Sequence, residues 1–193
     1  MRRLGFIRDQ RASTAAEFGV IAMVFIGSML GIIDMARLAF EINSAKAAAR
    51  HGARKAVVSL PAVDQLRDYD GLAAGIPGGQ PVPEGSIPDY RCTSTACDNG
   101  GAFVAANFNA VVTEMRRYYG RVQPANVVIE YKHRGLGTSG FIGSDVEPLV
   151  TVHLTGLTFQ PVSLQVFGVG ALPIPSVSTT LTAESLGATS AAI

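Results

Sequence analysis

The sequence predicts an α+β fold: a long N-terminal helix able to span a membrane, packed on a small antiparallel sheet with a second, amphipathic helix. Three observations predict it. Residues from Phe18 to Ile33 carry no charge, and no proline interrupts the chain before Pro61. Beyond that helix, three stretches alternate apolar and polar side chains in the two-residue period of a half-buried strand.

At 193 residues the chain has room for one modest domain besides an anchoring segment. Lys and Arg number 16 against 15 Asp and Glu, for a formal net charge of +1. That balance offers no basic surface of the kind nucleic-acid binding uses, so nucleic acid is not expected as a partner. The hydrophobic fraction of 48% owes much to the charge-free stretch near the N-terminus.

Residues 1–12 hold Arg2, Arg3, Arg8 and Arg11 against Asp9, and end at the small Ala12. They read as a basic leader. The apolar run, with the small residues before it, gives about nineteen positions, close to the roughly 30 Å hydrocarbon thickness at about 1.5 Å per residue. A secretory signal peptide would place a small-residue cleavage site after the run. Here Asp34 to Glu41 follow with no such pattern, so the run is expected to remain in the mature chain. Glu17 is a carboxylate at the edge of this run, where charge is costly. It is either a headgroup-level side chain favoured by the helix N-terminus or a group with an assembly partner.

The alanine-rich stretch Asp34 to Val58 extends the same helix, giving a segment 13–58. Leu38, Ile42, Ala45, Ala49, Gly52 and Ala56 recur at steps of three and four, a narrow stripe that lets another backbone approach closely. Arg37, Glu41, Lys46, Arg50 and Arg54 read as a solvated charged face. Gly27 and Gly31 form a Gly-x-x-x-Gly pair, a helix-packing candidate that is also frequent by chance.

Residues 59–193 form the outer domain. Residues 61–101 read as a Pro/Gly-rich connection with a short helical turn near Val63 to Tyr69. Phe103 to Tyr119 has a helical apolar period. The strands fall at Val127 to Lys132, Leu149 to Thr155 and Val177 to Ala183, with His133 and His153 expected at the surface or rim. The segment 156–175 is unusually apolar for a loop and is expected either to complete the core or to form a docking surface.

Little here points to catalysis. Gly135 to Gly140 satisfies G-x-G-x-x-G, but no helical period follows it, so a hairpin connection is expected instead of a phosphate loop. The acidic residues are scattered singly, and neither a nucleophile elbow nor a zinc-protease motif occurs, so no enzyme activity and no cofactor is expected. Cys92 and Cys97 are separated by four residues. A disulfide is the preferred reading in an exported chain, ahead of free thiols or half a zinc site, and no metal is expected.

Ala12, Glu17 and Phe18 together resemble the processing site of the Flp/Tad branch of type IV pilins: a small residue, four positions, then Glu followed by an aromatic residue. Gly31 to Phe40 and Asn43 to Ala56 resemble the helix of TadE-like proteins, minor pseudopilins of the tight-adherence pilus. The resemblance covers roughly the first third of the chain. It implies a pilin-like stalk in the bacterial inner membrane, single-pass, with the C-terminal domain periplasmic and possible incorporation in a pilus. It also implies cleavage between Ala12 and Ser13 by a prepilin peptidase. The partners implied are that peptidase, other pilin-like subunits, the assembly platform and membrane lipid, in a structural role in assembly, initiation or capping. A single-pass membrane protein with an unprocessed leader and a ligand- or envelope-binding outer domain is the alternative, and mature mass discriminates the two.

Overall fold

A computed structural model describes residues 10–140 and 144–183. Residues 1–9, which make up most of the basic leader, lie outside the described residues. The long helix α1 runs without a break over Gln10–Val58. By backbone contacts the chain divides into two compact units, one of Met1–Phe40 with Thr158–Leu172, the other of Glu41–Leu157 with Pro173–Ile193.

The larger unit is α+β. Strands β1 (Tyr90–Cys92), β2 (Val127–Lys132), β3 (Leu149–Leu154) and β6 (Val177–Thr182) form an antiparallel sheet in the order β1-β2-β3-β6. Its register pairs Ile129 with Val152 and Tyr131 with Val150, so the two central strands place their buried residues side by side. This is the period-two pattern of a sheet with one covered face. Helix α2 (Ala105–Tyr118) buries Phe108, Val111, Val112 and Met115, the face its spacing selects.

The C-terminal part of α1 joins this core through small residues. Ala45, Ala48, Ala49, Ala53 and Ala56 are fully buried or nearly so. A Cβ added at Gly52 would come within 2.6 Å of Met115 Cγ, so the two helices meet there only because the side chain is absent. Beside that contact, His51 stacks on Tyr118 with ring centroids 3.6 Å apart.

Two expectations need correction in this unit. Part of the Pro/Gly-rich connection is ordered sheet, since β1 pairs with β2 through Tyr90 opposite Tyr131 and Cys92 opposite Ile129. Cys92 and Cys97 are joined by a disulfide, and Thr93 N–H donates to the Ala96 carbonyl inside the closed loop at 2.8 Å. His133, expected at the surface or rim, is 2% exposed. The physical reason is register: Val127, Ile129 and Tyr131 point inward, and His133 is the next position of the same parity. Its Nε2 faces the carbonyls of Val82 and Pro83 at 3.3 and 3.2 Å, while Nδ1 has no hydrogen-bond partner among the described residues.

Among the described residues the connection after β2 contains no helix, and hydrogen bonds hold it. Val82 N–H donates to Gly137 O, Gly79 N–H to Ser139 O and Ser139 N–H to Gln80 O, at 2.8–3.1 Å. The buried Asp145 carboxylate adds bonds from the N–H of Gly71 at 2.7 Å and of Gly140 at 3.0 Å. Phe141, Ile142 and Gly143 lie outside the described residues.

The smaller unit consists of α1 up to Phe40 and the segment Thr158–Leu172. Strands β4 (Thr158–Phe159) and β5 (Leu172–Pro173) pair as a two-stranded ribbon, and a 3-10 turn, Leu164–Phe167, lies between them in sequence.

Candidate functional site

The sequence directs attention to the first half of α1. Ala12 and Ser13 lie in its opening turns. Glu17 and Phe18 follow on the helix, both exposed, and Phe18 is 72% so. From there to Ile33 the helix leaves Val20, Ile21, Met23, Val24, Phe25, Ile26, Met29, Ile32 and Ile33 more than half exposed. A helix in a soluble core covers such side chains. Here the most apolar 18-residue window has a mean hydropathy of 2.1 and is only 6% buried. The helix is long and apolar enough to cross a membrane, consistent with a single spanning segment.

The run ends at a group whose role sequence reasoning missed. Asp34, the residue directly after Ile33, is 1% exposed. Its Oδ2 accepts the backbone N–H groups of Ser163 at 2.9 Å and Leu164 at 2.8 Å, and its Oδ1 accepts that of Val162 at 3.2 Å. Arg37, one turn on, approaches Oδ1 at 3.3 Å and lays its guanidinium 5.6 Å from the centre of the Phe159 ring. A carboxylate at the end of the apolar run thus collects three N–H groups and one cation, partners that offset the cost of burying a charge.

This clamp fixes what lies against Gly27 and Gly31. A Cβ at Gly27 would sit 3.7 Å from Phe167 Cζ, and one at Gly31 would sit 3.9 Å from Leu164 Cδ2. The smooth strip on the helix accommodates the 3-10 turn of the same chain. The one hint in the sequence was a carboxylate adjoining a charge-free run, the same anomaly that singled out Glu17.

Comparison with known families bears on the same helix. Residues 12–54 match the family described as TadE-like protein. The N-terminal helix is similar to that family over this stretch. No curated protein and no solved structure gives a match. The TadE-like stretch begins at Ala12, contains Glu17, Phe18, Gly27, Gly31 and Asp34, and ends among the buried residues Ala53 and Ala56 of the larger unit. Together, the match, which covers less than half of the chain, and the apolar helix support a membrane-associated, pilin-like role.

Elsewhere the polar groups serve structure. Glu41 accepts from Arg121 at 2.8 Å and from the Tyr119 hydroxyl at 3.0 Å. Burial works to raise the Glu130 carboxyl, but hydrogen bonds with Lys132 and His153 hold it below the usual range. An open pocket lined by His51, Arg54, Lys55, Glu114 and Thr182 brings one carboxylate among several basic groups, with no nucleophile and base in hydrogen-bond contact.

Proposed function

We propose that this chain is a structural minor pseudopilin of a Tad-type assembly, anchored by α1 in the inner membrane with residues 59–193 on the periplasmic side. The reading rests chiefly on one observation: the TadE-like match falls on a helix whose apolar face is uncovered from Phe18 to Ile33. In this reading a prepilin peptidase cuts between Ala12 and Ser13, and Glu17 becomes the fifth residue of the mature chain. The exposed side of α1 then packs with the helices of other pilin-like subunits during initiation, capping or support of a fibre. Ala45, Ala49, Ala53 and Ala56 bury the C-terminal part of α1 within the larger unit, and the exposed apolar side chains from Phe18 to Ile33 are left for lipid or partners.

The experiment is the intact mass of full-length protein expressed in membranes with its cognate peptidase. Loss of the first twelve residues is expected. Recovery of only the uncleaved chain under those conditions would instead favour a permanently anchored envelope protein.

A further inference from the structure

The segment Thr158–Leu172 contains no charged residue. Its 3-10 turn, Leu164–Phe167, rests on α1 at Gly27 and Gly31, both inside the charge-free run Phe18 to Ile33. Gly27 precedes Asp34 by seven residues, so Phe167 touches the helix about 10 Å below the carboxylate that ends the run. A helix that crosses a bilayer through this run carries the turn to hydrocarbon depth.

The exposed side chains of the segment suit that environment. Val166 is 83% exposed, Val162 63% and Phe167 58%, a cluster that water would penalise in proportion to its apolar area. Lipid makes a second demand, that backbone polar groups be satisfied within the protein. The N–H groups of Val162, Ser163 and Leu164 reach the Asp34 carboxylate. Those of Val166, Gly168 and Val169 donate to the carbonyls of Ser163, Gln165 and Leu164 at 3.0–3.3 Å. Six N–H groups in a short irregular segment are therefore internally paired. Gln165 is the exposed polar side chain of the turn, which limits its depth to the outer part of the acyl region.

We infer that Leu164–Phe167 is a second membrane contact, a loop clamped to α1 by Asp34 with Val162, Val166 and Phe167 inserted among lipid acyl chains. This contact rests on α1 spanning the membrane and goes beyond the pseudopilin reading, since that reading requires only the helix. The depth is that of interfacial apolar segments, which sink about 5–10 Å into the boundary between headgroups and acyl chains.

The chain has no tryptophan, which permits a direct test. Val166→Trp, Phe25→Trp and Leu72→Trp are made singly in the full-length protein and reconstituted into phosphatidylcholine–phosphatidylglycerol vesicles with acyl chains brominated at defined depths. Position 25 reports on the span, and position 72, on an exposed residue of the larger unit, serves as the aqueous reference. The indoles at 166 and 25 are expected to lose most of their emission to brominated lipid and to resist iodide, and the indole at 72 to do the reverse. Phe167→Trp repeats the measurement from the residue nearest Gly27. Quenching at 25 with none at either 166 or 167 overturns the inference and leaves the span intact. Absence of lipid quenching at 25 removes the span itself and the loop contact with it.

Discussion

The Oδ2 of Asp34 accepts a 2.8 Å hydrogen bond from the backbone N–H of Leu164, 130 residues further along the chain. With the bonds from Val162 and Ser163, it makes one carboxylate responsible for the position of a whole segment. Asp34→Ala removes every acceptor, whereas Asp34→Asn keeps one oxygen and loses the charge. Amide hydrogen exchange at 162–164 is expected to accelerate strongly in the first variant and partially in the second. Exchange at Ile129 and Val152, in the central strands of the other unit, should be unchanged in both.

Glu17 is expected to serve assembly. Glu17→Gln and Glu17→Leu should insert and fold like the parent, because the side chain is exposed. In an assembled helix bundle the carboxylate would pair with the amine freed at Ser13 of a neighbour, fixing axial register more than adding stability. Loss of crosslinking to pilin-like partners, with mature mass unchanged, is the expected result. Full crosslinking in both variants would reduce Glu17 to a headgroup-level residue.

At Gly52, α1 meets the Met115 side chain of α2. Gly52→Leu must displace Met115 at its Cγ and Sδ, well inside the side chain, so the helices separate or Met115 leaves the core. A loss of about 1–3 kcal/mol is expected from overpacking, measured by denaturant unfolding of the detergent-solubilised protein.

Tyr131 ties the sheet to the chain that follows α1. Its buried hydroxyl accepts the Ala62 N–H at 2.9 Å, and burial pushes its pKa up to about 12. Folding therefore favours the protonated phenol. That contribution is complete below the unfolded value of about 10 and erodes as pH rises from there through the folded value. Tyr131→Phe should cost about 1–3 kcal/mol at neutral pH by orphaning a buried donor, and should flatten the alkaline part of the stability profile. An unchanged alkaline profile in the variant would assign the sensitivity to other groups.

Where the chain follows local periodicity, the sequence was readable. The strands at Val127, Leu149 and Val177 and the helix before Gly120 came from side-chain alternation and helical spacing, both of which report burial directly. β1 was missed because its three residues sit among prolines and glycines and gain their order from pairing with β2. His133 was misplaced by residue type, although its parity with Tyr131 pointed inward. Asp34 was passed over because its partners are main-chain N–H groups. No side-chain motif marks such donors, and nothing local connects position 34 with position 164.

That separation gives the clamp an order in time. Synthesis reaches Asp34 long before it reaches Val162, and until then only Arg37, of the groups that hold the carboxylate, has been made. Each nascent chain thus passes through a stage in which a charge adjoins the apolar run without its backbone donors. A chain arrested before Val162 stays in that stage, its carboxylate held by Arg37 without the backbone donors and its sheet without β6. Synthesis of Val162 to Leu164 is in this way registered at the helix that was made first.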